Sequence, residues 1–210
     1  MPRIAEIQPT LLSVVWPENN ISIPYRFLRT LIMALLGSLF IALLAQVQVP
    51  IWPVPITGQT FGVLVVGMAF GFRLGGLTLL LYLLEGHLGL PVFAGGKSGL
   101  AGPTSGYLVG FVFAAAITGY LAEKKWDRNV WYTGLAMLLG NLAIYIPGLI
   151  WLTIFFEGPG SQYVAAIGAS TAIGAALTKG LLPFIIGDIL KLALAAIIFP
   201  YVWRLLPRFK

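Results

Sequence analysis

The 210-residue chain contains no cysteine and a single histidine, His87. The first absence removes disulfides, thiol nucleophiles and thiolate metal sites, and the second removes any multi-histidine metal centre. Charge is scarce too: Asp, Glu, Lys and Arg make up 10% of the residues, against 59% hydrophobic. A soluble domain carries about 25% charged residues, so this composition belongs to an integral membrane protein. No GxxxxGK[ST] phosphate loop occurs, and any ATP dependence has to come from partners. No inverted repeat like those of large secondary transporters is visible. A membrane-embedded enzyme would need a nucleophile with its base, a metal cluster or paired carboxylates. Asp188 is the only carboxylate deep in an apolar stretch, and the sole histidine lies at an edge, so the chain reads as non-enzymatic.

What is present is apolar sequence in long runs. With about 20 apolar residues needed per span, roughly six helices fit. They read near Arg26–Gln46, Thr60–Phe72, Leu74–His87, Gly106–Ala122, Val130–Phe156 and Leu181–Trp203. The expected architecture is an all-α compact bundle of six transmembrane helices over residues 26–205, with a polar or interfacial extension at 1–25 and a basic tail at 206–210. The extension has no long apolar core beside a small-residue cleavage site, so no cleavable signal peptide is expected. Within it, Ile4–Trp16 could form a short interfacial helix, although Pro9 interrupts the run.

The net charge of +6 is distributed as a membrane topology, not as a nucleic-acid footprint. Arg26 and Arg29, then Arg73, then Lys124, Lys125 and Arg128, then Arg204, Arg208 and Lys210 fall at alternate ends of the spans. Basic residues favour the cytoplasmic side. Both termini and the loops at Arg73 and Lys124 are therefore expected inside, and the loops around Pro53, Gly95 and Glu157 outside. Glu85 and His87, at the outer end of the third span, are expected at the solvent or headgroup boundary.

Two of the outer loops cannot be helical. Loop one, QVPIWPVPITGQTF, loses backbone donors at Pro50, Pro53 and Pro55 and should run extended, ending at Gly58 before Gln59 and Thr60. Loop three, GLPVFAGGKSGLAGPTSGY, carries glycine at 95, 96, 99, 102 and 106 and so allows close backbone approach. Irregular backbone at a membrane surface is tolerated where it is buried in protein or lines a cavity. Trp52, Ile56, Phe61, Val92 and Phe93 are dense for solvated turns and suit covers over a small-molecule site.

The last span holds Asp188 and Lys191, opposite charges three residues apart on one helix face. Each costs roughly 2.5–3.5 kcal/mol at a helix centre, so they need a partner or a ligand. They can neutralise one another, or separate around a polar ligand. Asn141, inside the fifth span, offers both donor and acceptor, equally for a ligand or for an interhelical bond. Ala34, Ser38 and Ala42 form a small-residue stripe on the first span, suited either to close packing inside the bundle or to a docking partner.

Taken in order, PVPITGQTF, GLPVFAGG, AGPTSGYLVGF and LLPFIIGDILK resemble the biotin-specific S-component of energy-coupling-factor transporters, the BioY family, over about Leu31 to Leu205. The resemblance implies a six-helix bundle in the prokaryotic cytoplasmic membrane that captures biotin from outside under loops one and three. It also implies partners: a transmembrane T-component and a pair of ATP-binding-cassette ATPases, which supply the only ATP chemistry. No cofactor or nucleic acid is implied, and biotin enters as the transported substrate. With biotin as the ligand, the residue chemistry makes Gln59, Thr60, Phe93, Gly95, Tyr107, Asn141, Tyr145, Asp188 and Lys191 the candidate substrate residues, with Lys191 suited to the carboxylate and Asp188 to a ureido N–H. Lys97 can attract an anionic vitamin or be an ordinary surface lysine. Ala34, Ser38 and Ala42 correspond to the stripe that docks on the T-component. The rival reading is an S-component or small facilitator for another vitamin, such as thiamine or riboflavin.

Overall fold

The structure, a computed structural model, describes residues 9–17 and 22–206. Helix follows helix along nearly its whole length: α1 Leu11–Val15, α2 Ile23–Gln46, α3 Gln59–Phe70, α4 Phe72–His87, α5 Ser105–Ala122, α6 Val130–Glu157, α7 Gln162–Ala166, α8 Ala172–Gly180 and α9 Ile185–Leu205. Four stretches, Ile23–Gln46, Ser105–Ala122, Val130–Glu157 and Ala172–Leu205, are long and apolar enough to cross a membrane. The apolar α3 is shorter. The expected spans coincide with α2, α3, α4, α5, α6 and α9 to within a few residues, and the chain is an all-α membrane protein.

Helix α5 is the centre of the bundle, packed against α3, α4 and α6. Ala114, Ala115, Thr118 and Gly119 on it are buried. A Cβ added at Gly110 would sit 2.8 Å from the Cα of Ile144 on α6, and one at Gly67 on α3 would sit 2.6 Å from the backbone of Ala115. Such backbone-to-backbone approach is how membrane helices associate, since lipid offers no hydrophobic drive between them. The outward faces of α2, α6 and α9 carry exposed Leu and Ile, as a lipid-facing surface requires. Helices α3 and α4 meet at Gly71, whose φ of +85° favours glycine.

Loop one is a hairpin: Gln48–Val49 pairs antiparallel with Ile56–Thr57, in the register Gln48↔Thr57 and Val49↔Ile56. At its tip Trp52 packs on Tyr163, ring centroids 4.5 Å apart, and on Phe156 at 6.0 Å. Helix α8 was not expected. Its signal is the N-cap Thr171, which accepts from the Gly174 amide at 3.1 Å. Ala175 and Ala176 then bury against the core. Only Leu11–Val15 of the expected N-terminal helix is helical among the described residues; 1–8, 18–21 and 207–210 lie outside them.

The stripe on α2 faces inward, into the bundle. Ala34 and Ser38 are buried and Ala42 is half-buried against the core. The Ser38 hydroxyl donates to the Glu85 carboxylate of α4, so Glu85 is a helix-pairing group rather than an exposed one. His87 is exposed, as expected.

Candidate substrate-binding site

Loops one and three close over a cavity of about 220 Å³. A water occupies about 30 Å³ of liquid, so the space suits a small organic molecule. Its walls come from loop one (Pro53, Pro55, Thr57), the start of α3 (Gln59, Thr60), loop three (Phe93, Lys97, Ser98), the start of α5 (Thr104, Tyr107, Phe111) and inward residues of α6 and α9 (Tyr145, Lys191). Phe184, in the short 3-10 turn Leu182–Phe184 before α9, completes an aromatic lining.

Two hydrogen-bonded chains fix this wall. The first runs across the base of the loops. The Gln59 amide donates to the Tyr82 hydroxyl at 2.7 Å, and Tyr82 donates to the Val92 carbonyl at 2.8 Å. The Thr57 hydroxyl donates to the Gln59 oxygen at 3.1 Å. Hairpin, α3, α4 and loop three are thereby joined through buried groups. Phe93 is buried over Tyr82 in an edge contact at 5.3 Å, and Gln46 donates to its carbonyl at 3.3 Å.

The second chain is ionic. Lys191 Nζ donates to the Thr57 carbonyl at 3.0 Å, to Thr60 Oγ1 at 2.8 Å and to Asp188 Oδ1 at 3.1 Å. An ammonium has three N–H groups, and all three are used. Tyr145 donates to the other Asp188 oxygen. The Asp188 side chain is 7% exposed, against 20% for Lys191. The pair therefore locks together as an internally neutral unit that also holds the foot of loop one on α9. Tyr107, in edge contact with Tyr145 at 6.2 Å, is fixed by donating to the Gly180 carbonyl at 2.9 Å. That bond explains what α8 contributes to the site.

Of the residues expected from sequence, Gln59, Thr60, Phe93, Tyr107, Tyr145 and Lys191 line one cavity. Three stand off its wall. Asp188 lies behind Lys191 and Tyr145. Gly95 turns loop three at φ +68° and is exposed. Asn141 lies a turn deeper on α6, buried, with its Oδ1 unpartnered among the described residues. Sequence reasoning missed Tyr82, Thr57 and Phe184. A lone tyrosine in LLLYLLEG gives no signal by itself. Lys97 lines the mouth of the cavity, exposed and with no ion pair among the described residues.

Fold and site define a multi-pass helical membrane protein with a small, aromatic-walled cavity capped by two irregular loops. The BioY family matches the chain over residues 16–208, and the chain belongs to that family. It is 41% identical over 169 residues to a probable biotin transporter BioY of Pyrococcus horikoshii, covering 78% of this chain and 91% of the relative. To the biotin transporter BioY of Thermotoga maritima it is 37% identical over 174 residues, covering 81% and 94%. Among solved structures it resembles the S-component for biotin from an ECF-type ABC transporter, with a TM-score of 0.67, 26% identity and coverage of 88% and 95%. The chain is thus a multi-pass protein of the prokaryotic cytoplasmic membrane.

Proposed function

We propose that the chain is the biotin-capturing S-component of an energy-coupling-factor transporter, holding the vitamin in the cavity beneath loops one and three. It is a transport subunit and not an enzyme. The observation that carries this reading is the joining of aromatic walls, a hydrogen-bonded neutral floor and a free cation at the mouth. Biotin matches that pattern with an apolar bicycle, a ureido group and a carboxylate. Loops one and three face outside, both termini face the cytoplasm, and residues 26–205 form the substrate domain. Uptake is energised by a T-component and ATP-binding-cassette ATPases, because the chain has no phosphate loop of its own.

Charge bookkeeping sets the orientation of the ligand. Lys191 is already neutralised by Asp188, so a carboxylate placed there would leave a net negative charge in a desolvated site. At the mouth, Lys97 has no ion pair among the described residues. The ureido ring therefore lies inward, near Tyr145, Thr60 and the Asp188–Lys191 unit, with the carboxylate toward Lys97. This reverses the assignment of Lys191 to the carboxylate suggested by chemistry alone. A cationic vitamin such as thiamine would meet repulsion at Lys97. The test is equilibrium binding of labelled biotin to the purified chain without partners. Stoichiometric binding that unlabelled biotin displaces, and thiamine or riboflavin does not, is expected; displacement by either of those vitamins would overturn the assignment.

A further inference from the structure

Helices α3 and α5 carry the biotin cavity at their first turns and a second, larger cavity of about 840 Å³ at their last. This second space lies between α1, the first turns of α2, the corner of α3 and α4, and the end of α5. Among the described residues, three cations, Arg29, Arg73 and Lys124, border it, with one carboxylate, Glu123. Glu123 is engaged in accepting from the Phe72 amide at 2.9 Å. Arg29 is buried and donates to the Trp16 carbonyl at 2.6 Å. Lys124 stands over the Tyr120 ring at 5.3 Å, and Arg73 is exposed with no hydrogen bond or ion pair among the described residues. Exposed cations at Arg73 and Lys124 thus rim the space. The remaining wall is apolar, and Phe72, Leu77 and Tyr120 continue from it onto the exposed side of the bundle at 48%, 47% and 50% exposure.

We propose that this groove holds one anionic phospholipid, its phosphate at Arg73 and Lys124 and an acyl chain along Phe72 and Leu77. Charge complementarity selects the headgroup, since among the described residues the rim carries more positive than negative charge, and the ends of the spans sit at headgroup depth. The apolar wall that opens sideways selects a lipid over a soluble anion, which would gain nothing from it. The site is at the opposite ends of α3 and α5 from the biotin cavity, and lipid binding there is independent of vitamin binding.

The delipidated, detergent-purified chain is titrated with dioleoylphosphatidylglycerol, with dioleoylphosphatidylcholine and with inorganic phosphate, and bound lipid is counted by native mass spectrometry. One phosphatidylglycerol retained at least tenfold more tightly than phosphatidylcholine is the expected result. A basic residue near the surface contributes roughly fivefold, so Arg73→Gln with Lys124→Gln should weaken phosphatidylglycerol about thirtyfold. Both side chains are exposed, and the helical circular dichroism, melting temperature and biotin affinity should be unchanged. Equal binding of the two lipids, or displacement of phosphatidylglycerol by equimolar phosphate, would overturn the proposal. So would undiminished lipid binding by the double variant; if that variant instead fails to copurify with its membrane partner, the groove is a protein contact.

Discussion

Helices α3 and α5 have a cavity at each end, and the two are built on opposite plans. At the loop end the polar groups are mutually satisfied before any ligand arrives: Gln59 with Tyr82 and Thr57, Lys191 with three oxygens, Tyr107 with Gly180. At the other end Arg73 and Lys124 stand exposed around a wider groove. Satisfied buried networks fix side chains in one arrangement, because each broken bond leaves a desolvated group. Loose surface cations attract anions without choosing their shape. The first plan suits selection of one vitamin, and the second suits a class of lipids.

The largest effect should come from the wall the two ends share. Gly67→Val drives a side chain into the Ala115 backbone of α5, which cannot rotate away. Overpacking costs about 1–3 kcal/mol where side chains can yield, so a rigid neighbour puts this variant at or above the upper end. Loss of the thermal transition in detergent, with both cavities lost together, is expected. A variant that melts normally would show that the helices can part, and the contrast between a fixed and a loose end would fail.

At the loop end alone, Tyr82→Phe removes the hydroxyl shared by Gln59 and Val92. An unpaired buried polar group costs about 1–3 kcal/mol, or roughly tenfold in biotin affinity if loops one and three are loosened. Isothermal titration measures it. An unchanged affinity would mean that the cover is held by aromatic packing alone.

A smaller effect tests the far end. Asp127, in the 3-10 turn Trp126–Arg128, is fully buried and accepts from Trp203 of α9. Burial pushes its carboxyl up to about 6, against the lowering effects of the Trp203 bond and of Arg128. The folded chain therefore keeps a proton that the unfolded chain releases near 3.8. The stability this gives is full below about pH 4 and is lost as pH rises through about 6. The melting temperature of the unmodified chain should fall by a few degrees over that window relative to Asp127→Asn. Parallel curves would show that the carboxyl is solvated.

Much of this was legible in the sequence. Apolar runs placed six helices of 12 to 28 residues to within a few residues, since an apolar segment in lipid satisfies its own backbone only as a helix. Prolines 50, 53 and 55 marked loop one as non-helical, and the charged pair marked α9 as a wall of the site. What stayed hidden depended on side-chain direction. Ser38 could have faced a partner or Glu85, and a spacing of four residues does not say which. Lys191 could have been free or locked, and only its three oxygen partners decide it. Helix α8 is only nine residues long, too short to read as a span, and its end signals, the Thr171 cap and Lys179 in the last turn, lie in what reads as a loop.

The most direct test of the central claim compares biotin with biotin methyl ester on two variants, Lys97→Met and Lys191→Met. If the carboxylate lies at the mouth, Lys97→Met should cost the free acid roughly fivefold and leave the ester unchanged, as suits a partly exposed ion pair of about 1 kcal/mol. Lys191→Met should weaken acid and ester alike by tenfold to over a hundredfold, since it breaks a charge-assisted network of about 1.5–3 kcal/mol that both ligands use. A loss confined to the free acid in Lys191→Met, with Lys97→Met silent, would contradict the account and put the carboxylate at the floor of the cavity.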